Sequence, residues 1–234
     1  MLGVAILAGG LATRLRPLTE TIPKCLVEVA GRPFAHWQLA LLRDRGVRDV
    51  TFCLGHLGEQ VEAEVGDGSR FGLRARYSYD GDRLLGTGGA LRKALGQLGD
   101  PFFVLYGDSY LPIDLGAVQR SYEKSGRPAL MTVLHNRDRW DRSNVVYRDG
   151  QVLEYDKRTH RPEMEYIDYG LGVLSGQLLG HRPARAPFEL SDLYHALSLS
   201  GDLAGHEVHE RFYEIGSHQG LRETEDHLRA KDPR

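Results

Sequence analysis

Apolar positions follow two rhythms along this chain. VAILA (4–8), VTFCL (50–54) and FFVLY (102–106) are short unbroken runs, as in strands buried on both faces. AHWQLALLRDRG (35–46), EQVEAEVG (59–66) and ALRKALGQL (90–98) instead return to apolar residues every three or four positions, the spacing of a helix with one buried face. Gly46 and Gly66 follow LLRDR and EAEV as stop signals, because glycine takes the left-handed cap conformation without a Cβ penalty. Strand and helix in alternation predict a mainly parallel sheet with helices on its faces.

The pattern then changes. RARYSY (74–79), ALMTVLH (129–135), NVVYR (144–148) and QVLEY (151–155) read as further strands of a mixed sheet and its antiparallel flap, with Asp149-Gly150 as a hairpin turn. ELSDLYHALSL (189–199) and GLRETEDHLRA (220–230) predict two late helices. Neither a linker-like Ser/Pro/Gly stretch nor an internal repeat divides the chain, so a single α/β domain over residues 1–234 is expected.

Composition narrows the partners. The 234 residues are 41% hydrophobic and 26% charged, an ordinary globular mixture, and their formal net charge of −2 supplies no basic field for nucleic acid or an anionic membrane. Any anion must be met by a local site. The only cysteines, Cys25 and Cys53, are too few for a disulfide framework and lack zinc-type spacing, which fits a reducing cytoplasm. The opening apolar run lacks a basic leader, and no apolar run reaches the length of about 18 residues that a membrane helix needs.

Local chemistry concentrates in GGLATRLRPLTETIPK (9–24), directly after the first predicted strand. Glycines at the carboxyl end of a strand let backbone N–H groups approach an anion closely, and Arg14 and Lys24 bring cations suited to phosphate. Pro17 and Pro23 restrict the segment that carries them. The run matches neither GxGxxG nor GxxxxGK[ST], which disfavours a dinucleotide or P-loop site. Asp108, after FFVLY and Gly107, stands at another strand's carboxyl end, where an acid is by default a solvated turn or a helix cap and a divalent metal is the functional alternative.

LAGGLATRLRPLTETIPKCLVEVAGRP (7–33) resembles the signature of the sugar-1-phosphate nucleotidyltransferases, and the resemblance continues through LLGTGGAL (84–91), YGDS (106–109), YDKR (155–158), DYGLGVL (168–174) and FYEIGS (212–217). It implies a Rossmann-like, glycosyltransferase-A type fold. The implied reaction is attack of a sugar 1-phosphate on the α-phosphorus of a nucleoside triphosphate, with release of pyrophosphate. On that resemblance Leu7, Ala8, Gly9 and Gly10 hold the nucleotide, Arg14 and Lys24 serve the reacting phosphates, and Gly88 and Gly89 lie beside the nucleobase. It assigns Asp156, Lys157, Asp168 and Gly170 to the sugar phosphate, and Asp108 and Glu214 to Mg²⁺.

Three departures stand out: Ala12 for a loop glycine, Asp168 for a frequent asparagine, and Glu214 for the usual aspartate. Guanylyl transfer to a mannose- or heptose-like 1-phosphate is the first expectation. Uridylyl, thymidylyl or cytidylyl transfer, a phosphocholine-type acceptor, and a non-catalytic nucleotide-sugar-binding regulator are the alternatives. The pattern carries no signal for oligomeric state.

Overall fold

The structure is a computed structural model and describes residues 1–183 and 185–231. Its strands are β1 (Val4–Leu7), β2 (Glu28–Val29), β3 (Arg32–Pro33), β4 (Asp49–Leu54), β5 (Arg74–Tyr79), β6 (Phe102–Tyr106), β7 (Ser109–Tyr110), β8 (Ala129–His135), β9 (Val145–Arg148), β10 (Gln151–Tyr155), β11 (Tyr166–Leu174), β12 (Leu203–Val208) and β13 (Tyr213–Glu214). The α-helices are α1 (Phe34–Asp44), α2 (Gly58–Val65), α3 (Gly86–Ala94), α4 (Leu115–Ser125), α5 (Gln177–Gly180), α6 (Leu190–Ser200) and α7 (His218–Lys231).

Nine strands form one twisted sheet in the order β5-β4-β1-β6-β11-β8-β12-β10-β9. The first four run parallel, as do β8 and β12, whereas β11 is antiparallel to both β6 and β8. The expected mixed α/β sheet with flanking helices is what the chain forms, with its parallel character greatest at the β5–β6 end.

Alternate residues of the central strands feed two apolar layers, as the period-2 pleat requires. Val4 and Ile6 face the layer that holds Leu39, Leu42 and Val61 of α1 and α2, and Ala5 faces the one that holds Leu91, Leu190 and Leu197 of α3 and α6. A smaller cluster of Val29, Phe34, Ile215 and Leu228 fixes α7.

RARYSY belongs to the parallel half, not to the antiparallel flap: β5 lies beside β4, from Asp49↔Arg74 to Leu54↔Tyr79. Its alternation of exposed and half-buried residues is that of an edge strand covered on one side. The Asp149-Gly150 turn forms as expected, with positive φ at both residues (49° and 81°), as a two-residue hairpin of matching twist demands. Helix α3 starts at Gly86, earlier than periodicity predicts. The N–H groups of Gly88 and Gly89 both donate to the Phe188 carbonyl (3.0 and 3.2 Å), so tertiary bonds override the poor helix propensity of GTGG. Helix α4 is not among the helices predicted, although Leu115, Val118 and Tyr122 recur at helical spacing; Asp114 caps it by accepting from the Ala117 N–H at 3.1 Å.

Candidate functional site

Because β5, β4, β1 and β6 are parallel, their carboxyl ends reach one edge of the sheet in that order. The antiparallel β11 brings its amino end, with Asp168 and Gly170, to the same edge, since Leu171 pairs with Leu105 of β6. Two cavities lie along this edge, of about 660 and 430 Å³. Tyr106 and Asp108, where β6 ends, line both.

The larger cavity is lined by the expected Leu7, Ala8, Gly9 and Gly10, and by Lys24 and Asp108. Gly9 passes so close to the next loop that a Cβ there would stand 2.9 Å from the Gly55 nitrogen, and His56 N–H donates to the Gly9 carbonyl at 3.3 Å. Lys24 Nζ lies 2.8 Å from Asp108 Oδ2, which joins the opening segment to the end of β6. Ala12 adopts the left-handed conformation (φ 48°, ψ 42°), so this position does demand the geometry that glycine accepts freely. Thr19 Oγ1 donates to its carbonyl at 2.8 Å and helps hold the turn.

Gly88 and Gly89 are placed one layer behind the cavity. A Cβ on Gly88 would strike the Phe188 ring, and one on Gly89 would stand 2.9 Å from Leu85 Cβ. From this turn it is Gly86 and Thr87 that line the cavity, opposite Phe188, Glu189 and Asp192. Thr87 Oγ1 donates to Glu189 Oε2 (2.8 Å) and accepts from the Leu190 N–H (2.8 Å), locking the start of α6 to that of α3.

The smaller cavity collects Arg14, Asp156, Lys157, Asp168, Gly170 and Glu214, all expected near sugar phosphate, leaving phosphate or metal. Asp168 is almost buried: its side chain is 6% exposed. Its carboxylate accepts from Tyr155 Oη (3.3 Å) and Gly170 N–H (3.0 Å) and lies 3.8 Å from Lys157 Nζ. Asn144 Oδ1 accepts from the Asp168 N–H at 2.9 Å. Gly170 has φ 102° within a break of the β11–β8 register, a conformation for which glycine is suited. The Asp156 carboxyl is held below the ordinary carboxylate range, chiefly by the Arg158 N–H and then by that of Thr159.

Glu214 pairs with Ser109 through the short β13–β7 ladder, next to Asp108 in the chain. Its extra methylene carries the carboxylate to the start of α7, where it accepts from Gly216 N–H and, at 2.9 Å, from Ser217 Oγ. Gly216 and Gly220 leave the room: a Cβ at either would collide with a Glu214 oxygen. The same point beside Gly216 is 3.2 Å from Arg14 Nη2 and 3.4 Å from Asp108 Oδ2, so two carboxylates and a guanidinium converge there. No cluster of three His, Cys, Asp or Glu side chains among the described residues makes a complete metal cage. Two hard carboxylates nevertheless fit Mg²⁺, which takes one or two from protein and the rest from phosphates and water.

Two lining residues have no role assigned from the sequence. Tyr106 ends a strand and opens the YGDS match, and it lines both cavities and lies under Lys157, whose Nζ is 5.4 Å from its ring centroid. Asp80, beyond β5, lines the larger cavity; burial raises its carboxyl above the ordinary range, and its Oδ2 accepts from the Leu85 N–H at 3.0 Å. Both follow from strand order, which periodicity does not reveal.

The protein family described as nucleotidyl transferase matches residues 4–151. A UTP–glucose-1-phosphate uridylyltransferase of Synechocystis sp. is 31% identical over 215 residues, covering 84% of this chain and 55% of the relative. A glucose-1-phosphate thymidylyltransferase of Streptomyces antibioticus is 33% identical over 169 residues, covering 71% of this chain and 47% of the relative. The chain thus spans about half the length of these curated relatives. Among solved structures, HddC from Yersinia pseudotuberculosis, complexed with GMP-PN, superposes with a TM-score of 0.79 at 22% identity, over 97% of this chain and 100% of HddC, a likeness of fold. With the signature spread along the cavity edge in the order its strands dictate, the chain belongs to the sugar-1-phosphate nucleotidyltransferase family.

Proposed function

We propose that this protein transfers a nucleotidyl group from a nucleoside triphosphate to a sugar 1-phosphate, with GTP and a mannose- or heptose-like 1-phosphate as the first pairing to test. The observation that carries this reading is the junction of the two cavities at Asp108, with Lys24 on one side and Arg14 and Lys157 on the other. A phosphate oxygen of the sugar 1-phosphate attacks the α-phosphorus, and the bond from that phosphorus to the pyrophosphate oxygen breaks. The nucleophile is already anionic, so no general base is needed. Lys24 and Arg14 meet charge that moves toward pyrophosphate, and Lys157 orients the incoming phosphate. Asp108 and Glu214 would hold Mg²⁺, whose contribution is to offset repulsion between the reacting anions.

Asp80 supports the choice of guanine. Three interstrand spacings of about 4.8 Å separate the β5 and β6 ends, roughly 14 Å, which leaves Asp80 at the end of the cavity away from the phosphate cations. A carboxylate there suits the adjacent N–H donors of guanine better than the carbonyl-rich edge of uracil or thymine. Incubation with each triphosphate, Mg²⁺ and a panel of sugar 1-phosphates, with phosphocholine included, should release pyrophosphate fastest with GTP. A faster pyrimidine triphosphate would overturn the base assignment. Nucleotide binding without pyrophosphate from any pairing would favour a regulatory binder.

A further inference from the structure

Gln38 lies on α1, outside both cavities, and is 1% exposed. Its Nε2 donates to the Tyr106 carbonyl at 2.9 Å and to the Ser109 carbonyl at 2.8 Å, so a single buried amide brackets Asp108 from both sides. Its Oε1 is also buried and has no hydrogen-bond partner. An amide left half-satisfied in an apolar layer is costly relative to a paired one, so a leucine or methionine of similar size would serve packing alone better.

The rest of the turn is held from elsewhere. Gly107 N–H donates to the Leu7 carbonyl at 2.9 Å, and Ile215 N–H donates to the Asp108 carbonyl at 3.0 Å. Gly107 sits so close to β1 that a Cβ would stand 3.0 Å from Ala8 Cβ. Backbone bonds therefore fix Gly107 and Asp108, while the carbonyls on either side are fixed by Gln38. The side-chain direction of Asp108 depends on this four-residue turn, and with it the contact to Lys24.

We propose that Gln38 is a positioning residue, whose bidentate amide sets the turn from Tyr106 to Ser109 and thereby aims Asp108 at the junction of the cavities. The proposal rests on the reading of Asp108 as part of the reaction site, and the test separates the two. Gln38→Met keeps volume and removes both donors. It should lower kcat by roughly tenfold to a hundredfold, the penalty for a small misplacement of a reacting group, and leave triphosphate affinity measured in EDTA within about twofold of wild type, as expected when the base and ribose cavity is intact.

The deciding measurement is a double-mutant cycle with Asp108→Ala, read by a radiolabelled pyrophosphate assay. Because Gln38 acts through Asp108, Gln38→Met should slow Asp108→Ala no further. Full multiplication of the two losses, or a wild-type kcat for Gln38→Met, would overturn the proposal. A wild-type rate for Asp108→Ala would overturn the reading of the site instead. Gln38→Asn provides a second, smaller variant should Gln38→Met not fold; if neither folds, Gln38 serves the fold itself and the proposal is wrong.

Discussion

Lys24 and Asp108 lie 2.8 Å apart, and neither is close to the other in sequence. If Lys24 serves the leaving phosphates as proposed, replacing it by Ala removes a preorganised cation and should lower kcat by about a hundredfold, the scale for one such donor. An unaltered rate in a variant with a wild-type melting profile would exclude Lys24 from the chemistry. Ala12 tests the backbone under the same loop. Ala12→Gly relieves a left-handed conformation that costs an alanine about 1 kcal/mol, partly offset by the greater chain entropy of glycine. Urea unfolding should show equal or higher stability, whereas a clear loss would mean that the Ala12 methyl makes contacts that outweigh its strain. Glu214→Asp shortens the arm that reaches Gly216 and Ser217. The Mg²⁺ concentration for half-maximal rate should rise, and stability should fall by about 1 kcal/mol through the lost bonds. Magnesium and unfolding curves that match wild type would make Glu214 a bystander.

At the scale of elements, the segment from Phe188 to Leu190 links the start of α6 to α3 and forms a wall of the larger cavity. Gly88→Ala drives a methyl group into the Phe188 ring. The expected cost is about 1–3 kcal/mol, the range for overpacking a filled site. Because Phe188 and Glu189 move with that wall, triphosphate affinity should fall too. Calorimetric titration against a urea midpoint separates the effects: lower stability with unchanged affinity would show that the wall is not part of the nucleotide site.

For the whole molecule, the two thiols report whether the cavity edge stays closed. Cys25 and Cys53 line the larger cavity but are 3% and 1% exposed, and burial pushes each thiol up to about 12. Both remain protonated until pH rises toward that value, so at pH 8 roughly one molecule in 10⁴ carries either thiolate. Native protein should resist iodoacetamide at pH 8, and urea should expose both thiols to rapid alkylation. Fast native modification, located by mass spectrometry, would mean that the edge opens far more often than this packing allows.

The two rhythms of apolar residues are local properties, set by the pleat and the helical turn, and they were enough to place most central strands and helices. Motif residues such as Gly9, Lys24 and Asp108 were legible too, because their chemistry resides in residue type and order. Helix α4 and strand β12 escaped: LGAVQRSYEKS has a helical rhythm but buries only Leu115 and Val118 in a mostly polar segment, and LAGHEV is short and gains its order by pairing with β8. Tyr106, Asp80 and Gln38 escaped for another reason: each acquires its role from a strand or helix distant in sequence. By itself the sequence determined the alternating architecture and which cations and carboxylates its motifs carry. Tertiary structure alone decided that β11 runs antiparallel beside β6, which brings Asp168 to the edge where Asp108 lies, and that Glu214 turns toward α7. Strand order and side-chain direction depend on which distant surfaces bury each other, and a one-dimensional pattern does not specify that choice.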